Sequence, residues 1–334
     1  MKAIALLSGG LDSTLAAQVM IEQGIELEAI NFMTLFCTCT NRGATCLASQ
    51  QAVETLGIPL KVFNVSEEYL QVVKHPKHGY GRNLNPCIDC RIFMLKKAKV
   101  YMGESGSSFI VTGEVLGQRP MSQRKDAMHM IEKEAGLEGF ILRPLSAKVL
   151  PITVPEREGW VDREKLLTIQ GRSRKPQIKL AEHFGIHDYP CPAGGCLLTD
   201  PGFAQRMKDL MDHDLDFSIN DVYLLKMGRH FRFSQTVKLV VGRNEEENQK
   251  IQTFSKKGDL LLKVSAFSGP LSLLRGKFDE ADIEKAAAIT IHYSKAKDLG
   301  KAEVTYRGVG KDQSQSLSVL PVSRREIERL MINE

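Results

Sequence analysis

No run of apolar residues in this chain approaches the roughly 20 that a membrane helix needs. The opening Lys2-Ala3-Ile4-Ala5-Leu6-Leu7 is too short for the apolar region of a signal peptide. A membrane partner and a secretory leader are therefore not expected, and the expected compartment is the cytoplasm. Cysteine is scarce and odd in number, seven in 334 residues. In a reducing compartment that argues against a disulfide framework and for reactive thiols or metal ligands. Internal repeats and low-complexity stretches are lacking, and neither sign of charge dominates: 45 Lys and Arg against 40 Asp and Glu leave a formal +5. Such an excess permits a nucleic-acid partner without demanding one. What is present is 43% hydrophobic residues, more than one ordinary core absorbs at this length, so two domains are expected.

The first half alternates short β-rich apolar runs with helical patterns, which predicts an α/β fold with a doubly wound parallel sheet. Strands are expected from Ala3 to Ser8, Leu27 to Thr34, Leu60 to Val65, Phe109 to Gly113 and Phe140 to Pro144. Helices are expected from Ser13 to Glu22, Ala44 to Leu56, Ile92 to Gly103, Gln123 to Ala135 and Lys175 to Phe184, the last stopped by Gly185. Such a sheet binds ligands beyond the carboxyl ends of its strands, so the loops after Ser8, Thr34 and Gly113 should share one cleft. Beyond Cys196-Leu197-Leu198-Thr199-Asp200-Pro201-Gly202 strands come in neighbouring pairs, as Phe231 to Phe233 with Val237 to Val241. Helices flank them from Glu245 to Phe254 and from Glu280 to His292. That predicts a smaller α+β domain over residues 200–334 after a first domain over residues 1–199.

Ser8-Gly9-Gly10-Leu11-Asp12-Ser13 lies between a buried strand and an amphipathic helix. Paired glycines let backbone amides curl toward an anion, and the helix N-terminus adds its positive end. The lysine of a Walker A loop is missing, so transfer of a γ-phosphate is not what the loop suits. The plainer alternative is a strand-to-helix turn in which Asp12 or Ser13 merely caps the helix. The motif resembles the PP-loop of ATP pyrophosphatases, of the adenine nucleotide alpha hydrolase-like fold, which hold the β and γ phosphates of ATP and release them as pyrophosphate. The resemblance implies ATP contacts from Leu7, Ser8, Gly9, Gly10, Asp12, Ser13 and Phe32, with Asp12 also helping to hold Mg²⁺.

Two further segments bear on the atom that is activated. The run from Val111 to Gln123, Val-Thr-Gly-Glu-Val-Leu-Gly-Gln-Arg-Pro-Met-Ser-Gln, is similar to the signature after the fourth strand in tRNA 4-thiouridine synthetases. There a glycine and a final glutamine, matching Gly113 and Gln123, contact the nucleotide. Here Arg119-Pro120-Met121 adds one residue to the usual spacing. Gly81-Arg82-Asn83-Leu84-Asn85-Pro86-Cys87-Ile88-Asp89-Cys90, with Leu56 to Leu60 and Ser66 to Tyr69, resembles the tRNA 2-thiouridylases, whose Asn-Pro motif leads to a catalytic cysteine matching Cys90. Both resemblances imply an ATP-dependent transferase that adenylates a uridine carbonyl oxygen of tRNA and replaces it with sulfur. The product they favour is 4-thiouridine, with wobble 2-thiouridine as the alternative. A PP-loop ligase acting on a small molecule and a non-catalytic RNA-binding adaptor are the readings from other classes.

Three cysteine sets compete to handle sulfur. Cys87 and Cys90 open a helix, where the dipole should lower thiol pKa. Cys191 and Cys196 flank Pro192-Ala193-Gly194-Gly195, and Cys37, Cys39 and Cys46 follow the second strand. A C-x-x-C with one distant cysteine resembles the iron–sulfur tRNA thiolases, in which three thiolates hold a [4Fe-4S] cluster and one iron stays open for sulfide. That implies Cys87, Cys90 and Cys196 as ligands and catalytic thiols beside Asp12, with Cys191 as substitute for Cys196. A persulfide resolved by a disulfide, zinc, and plain burial are the alternatives. The sulfur donor would be sulfide or a persulfide derived from a cysteine desulfurase, and a homodimer is compatible with the sequence.

In the second domain, Met227-Gly228-Arg229-His230-Phe231-Arg232-Phe233-Ser234 interleaves basic and aromatic residues, as suits RNA. The run from Lys238 to Asn248 resembles the RNA-binding domain of ribosome-quality-control factors. Phe231 and Phe233 alternate as strand core residues, and Asn244 with Glu247 suits a helix cap. Arg229, Arg232 and Arg243 are then the expected RNA contacts. Full-length 4-thiouridine synthetases usually carry an N-terminal RNA-binding module, whereas this sequence opens at the PP-loop, so tRNA docking is expected from the C-terminal domain.

Overall fold

The computed structural model describes residues 1–37, 47–187, 189 and 196–332. Cys39, Cys46 and Cys191, the 192–195 turn and residues 44–46 of the expected second helix lie outside them. The chain divides into two compact units, Met1–Thr199 and Asp200–Glu334.

In the first unit the strands are β1 (Lys2–Leu6), β2 (Glu26–Met33), β3 (Leu60–Asn64), β4 (Phe109–Thr112) and β5 (Ile141–Leu142). They pair in the order β3-β2-β1-β4-β5, every pair parallel. Around them run α1 (Leu11–Ile21), α2 (Leu47–Leu56), α3 (Ser66–Lys74), α4 (Cys87–Ser105), α5 (Lys125–Ala135), α6 (Val154–Arg157) and α7 (Lys175–His183). Strand alternation sorts the core. Ala3, Ala5 and Leu7 pack with Leu11 and Leu15 of α1, whereas Ile4 packs with Ile92 and Leu95 of α4 and Ile131 of α5. Covering both faces is what makes a parallel sheet stable, and each such aliphatic side chain contributes about 1.5–3 kcal/mol by burial. The strand order reverses between β1 and β4, so their carboxyl ends flank the crevice where this fold binds ligands.

Helix α4 starts at Cys87 rather than Ile92. The Asn85 carbonyl accepts the Cys87 N–H at 2.9 Å and the Pro86 carbonyl accepts the Cys90 N–H at 2.8 Å, which closes a turn before the apolar periodicity begins. Strand β5 is two residues long, shorter than expected. Helix α3 lacked a periodic signal beyond its buried Tyr69, Leu70 and Val73.

The second unit contains α8 (Pro201–His213), α9 (Ile219–Leu224), β6 (Arg229–Arg232), β7 (Lys238–Val241), α10 (Glu245–Thr253), β8 (Leu260–Val264), β9 (Ser272–Arg275), α11 (Glu280–His292), β10 (Ala302–Gly308), β11 (Ser314–Val319) and α12 (Arg324–Leu330). Its six strands run β11-β10-β8-β9-β7-β6, all antiparallel. Ala286, Ala287, Ile289 and Ile291 of α11 are buried with Phe231, Leu239, Leu262 and Leu274 of the sheet. The architecture is the expected one, a doubly wound α/β sheet followed by a smaller α+β module. No helix among the described residues is long and apolar enough to cross a membrane.

Candidate active site

Between β1 and α1 the backbone turns at Gly9, whose φ is +74°, and a Cβ there would fall inside the backbone of Ala48 and Ser49. Glycine is obligatory on both counts. Neither Asp12 nor Ser13 caps α1, because no side chain does. Ser13 instead donates its hydroxyl back to the Gly10 carbonyl at 2.9 Å and lies 3.2 Å from Ser8 Oγ. The leading amides of α1 thus lack a side-chain acceptor, the situation in which a phosphate oxygen completes a helix end. Asp12 Oδ2 accepts from Gln118 Nε2 at 3.0 Å and has Arg174 at 3.9 Å. Its Oδ1 is buried with no hydrogen-bond partner among the described residues, a cost that coordination to Mg²⁺ would remove. Leu7 is a core side chain whose carbonyl accepts from Asn31 Nδ2 at 2.7 Å, so only its backbone borders the loop. Phe32 is half-buried, 5.6 Å from the Phe63 ring.

The segment from Gly113 to Gln123 forms a strap over this loop. A Cβ on Gly113 would strike the backbone of Asp12 and Ser13. Next to it Glu114 is buried and paired with Arg143 at 3.0 Å and Arg91 at 3.3 Å. Burial opposes ionisation of Glu114, but the two guanidiniums outweigh it and hold the carboxyl below its usual range. The strap closes on itself: Gly117 N–H donates to the Gln123 carbonyl at 2.7 Å, and Arg119 N–H to Gln123 Oε1 at 3.0 Å. The glutamine that reaches the phosphate loop is therefore Gln118, while Gln123 shapes the turn. At the far end, Met121 Sδ lies 3.0 Å from where a Cβ on Gly81 would stand, so the strap also meets the segment that leads to Cys87.

Three stretches bring the thiols together. Cys37 and Cys196 face each other in an antiparallel bridge, with Leu197 N–H donating to the Phe36 carbonyl at 2.8 Å. Leu84 N–H donates to the Leu198 carbonyl at 3.2 Å, and Asn83 Nδ2 to the Thr199 carbonyl at 2.8 Å, which ties the same stretch to the approach to α4. The Thr34 N–H lies 3.4 Å from Cys37 Sγ. The expectation of helix-lowered thiols is overturned. Burial pushes Cys87 up, against Arg119 and Arg91, and it pushes Cys90 up, against a hydrogen bond with Tyr69. Cys196 rises to about 12, first through burial and then through Cys90, Cys37 and Cys87. Desolvation outweighs a dipole felt only in the first helical turn. Thiolates here need a cation beside them. Among the described residues no three His, Cys, Asp or Glu side chains stand close enough to hold a single metal ion.

In the second unit the expected RNA contacts have internal partners. Arg232 binds Asp209 through two hydrogen bonds of 2.9 and 2.6 Å, and Arg243 binds Glu247 at 2.6 Å. The Arg229 guanidinium sits 4.4 Å from the Tyr293 ring centre. Phe231 is fully buried and Phe233 packs against the same core. Asn244 caps α10 by accepting the Glu247 N–H at 2.9 Å, but the Glu247 carboxylate turns to Arg243 and to the Gly228 N–H instead of closing the box.

Residues 1–148 match the thiamine biosynthesis protein (ThiI) family, and residues 228–331 match the NFACT protein RNA binding domain. The chain thus joins a segment matching the ThiI model to one matching the NFACT RNA-binding model. The residues that match the ThiI model carry the loop, the strap and both cysteines of α4, while Cys196 lies beyond them. Similar curated proteins include the tRNA-specific 2-thiouridylase MnmA of Marinobacter nauticus, 27% identical over 231 residues, covering 63% of this chain and 54% of the relative. Another is the "Probable tRNA sulfurtransferase" of Lysinibacillus sphaericus, 28% identical over 193 residues, covering 55% and 46%. The chain spans about half the length of these relatives. Among solved structures, a 4-thiouridine synthetase–RNA complex with bound ATP aligns at 18% identity over 67% of this chain and 52% of that one, with a TM-score of 0.38.

Arg91 and Arg174 were not singled out by the sequence; Gln118, Arg119 and Tyr69 stood in the runs that carry the resemblances without a role of their own, and Cys37 stood only in a competing cysteine set. Arg119 also sits in the insertion that departs from the 4-thiouridine synthetase spacing.

Proposed function

We propose that the chain is an ATP-dependent tRNA sulfurtransferase that forms 4-thiouridine. The observation that carries this reading is the strap: one segment touches Asp12 of the phosphate loop through Gln118 and meets the thiol-bearing segment through Met121. Phosphate chemistry and sulfur chemistry then have one pocket, as the reaction requires. In the first step the uridine O4 attacks the α-phosphorus of ATP, pyrophosphate departs with the P–O electron pair, and N3 loses its proton. Ser8, Gly9, Gly10 and Ser13 would hold the β and γ phosphates while Asp12 would hold Mg²⁺. In the second step hydrosulfide forms the C4–S bond, its proton passes to N3, and the C4–O bond breaks as AMP leaves. Adenylation is needed because a carbonyl oxygen is otherwise a poor leaving group, and the buried site keeps water from competing.

Cys87, Cys90 and Cys196 are the thiols assigned to sulfur handling. A donor set made only of thiols suits a [4Fe-4S] cluster, which spreads its ligands more widely than a single ion does. A cluster bound there would supply the carrier for the incoming sulfur. The thiolates would orient that carrier, and Tyr69 would fix Cys90. The source is sulfide, or a persulfide derived from a cysteine desulfurase whose outer sulfur leaves as hydrosulfide when a second thiol attacks the inner sulfur and closes a disulfide, the two thiols supplying the electrons. Light scattering tests the homodimer that the sequence allows. We assign tRNA docking to the second unit. Wobble 2-thiouridine formation is the second reading, favoured by the 2-thiouridylase names among the relatives.

Mass spectrometry of tRNA nucleosides from a deletion strain tests the proposal. Loss of 4-thiouridine alone is the expected result, loss of 2-thiouridine alone would select the second reading, and unchanged levels of both would refute thiolation. Turnover that survives Cys87→Ser with Cys90→Ser would move the chain to the small-molecule ligases. Retained function in Asp12→Ala, with ATP no longer bound, would make it an adaptor.

A further inference from the structure

The strap fixes one residue with an unspent charge. Arg119 is held at its backbone twice by Gln123, its N–H donating to Gln123 Oε1 and its carbonyl accepting the Gln123 N–H at 3.2 Å. Arg119 is exposed, and its side chain makes no hydrogen bond or close ion pair among the described residues. It follows Gln118, which binds Asp12, and lies two residues before Met121, which meets the segment leading to Cys87, and the charges of Asp12, Cys87 and Arg91 all act on it. Among the described residues, Arg91 and Arg143 pair with Glu114, Arg143 also with Glu132, and Arg174 lies near Asp12, while Arg119 has no ion pair. Glu114 is already shared between Arg91 and Arg143, and Asp12 between Gln118 and Arg174. An anion is what this arrangement lacks, and its place is between the phosphate loop and the thiols.

We infer that Arg119, supported by the charge of Arg91, is the receptor for the 5′-phosphate of AMP, the anion that departs when sulfur displaces oxygen. The identity of that anion rests on the thiolation reading. As the C4–O bond breaks, its electron pair passes to the phosphate oxygen of AMP, which gains a negative charge. A guanidinium at that point stabilises the charge as it forms and keeps AMP clear of the β and γ phosphate loop. Ground-state ATP, anchored by its two terminal phosphates, depends on Arg119 less than AMP does.

Calorimetric titration of the full chain with AMP and separately with pyrophosphate tests this, since neither needs RNA, sulfur or a cluster. Arg119→Ala should weaken AMP binding about tenfold or more while pyrophosphate binding changes less than about twofold. Arg119→Lys should recover part of the AMP affinity. Equal loss of both ligands, or AMP affinity unchanged by Arg119→Ala, overturns the inference. Circular-dichroism melts of each variant separate such losses from unfolding, and an Arg119→Ala chain that melts early passes the decision to Arg119→Lys, for which unchanged AMP affinity supports the inference only if Arg91→Ala weakens AMP alone. Should the AMP pattern hold while tRNA thiolation is absent, the proposed function falls and the nucleotide receptor stands.

Discussion

At Gly9 and Gly113 the backbone of another segment already fills the space a Cβ would take, Ala48 and Ser49 in the first case and Asp12 and Ser13 in the second. Gly9→Ala also forces an alanine into φ +74°. It should cost about 1–3 kcal/mol of stability and weaken ATP binding by moving the loop off α2. Urea unfolding with ATP titration checks this, and wild-type values in both would contradict the tight approach. The glycine pair was legible because its chemistry is local. The partners of Asp12 were not, because Gln118 and Arg174 come from distant segments that only the sheet order brings back. The thiols failed differently. Their position at a helix start was visible near enough to suggest a low pKa, but burial depends on everything packed around them, and no local spacing encodes it.

Helix α9 shows what an element can hold. Ser218 and Asp221 form a capping box, and the Asp221 carboxylate also binds Arg275 at 2.6 Å and Lys256 at 3.1 Å, which fastens α9 to β9 and the loop after α10. Burial works against this carboxylate, yet the Ser218 N–H and hydroxyl, with Arg275, hold its pKa at about 2 instead of 3.8. A carboxyl depressed in the folded state stabilises fully above its unfolded pKa and ceases to do so as pH falls through the folded one. Stability of the second unit should therefore fall between about pH 4 and pH 2, followed by circular dichroism. Asp221→Asn should flatten that part of the curve, and a variant with the wild-type slope would assign the effect elsewhere. Elements with clear periodicity, such as α11, were read to the residue. Short α9 was not foreseen, since its reason for being is an ion-pair network rather than an apolar stripe.

For the whole molecule, the change from alternating strands and helices to paired strands was visible, and the Asp200-Pro201 helix start marks it: the Asp200 side chain accepts the Phe203 N–H at 2.7 Å. The six-strand order of the second sheet was not visible, because antiparallel partners far apart in sequence carry no common local mark. If tRNA docks on the second unit, a chain ending at Thr199 should keep ATP affinity and lose tRNA affinity by about tenfold or more, with a shallower salt dependence. Filter binding at several salt concentrations decides it, and full tRNA affinity in the shortened chain would move the docking surface to the first unit.

The bridge between Cys37 and Cys196 joins a point near the beginning of the first unit to one at its close. During synthesis the first of these thiols waits on the ribosome's product for almost the entire unit to emerge before it meets the second. The two thiols thus meet only when nearly the whole unit has been made, so this part of the pocket is the last to be completed in chain order.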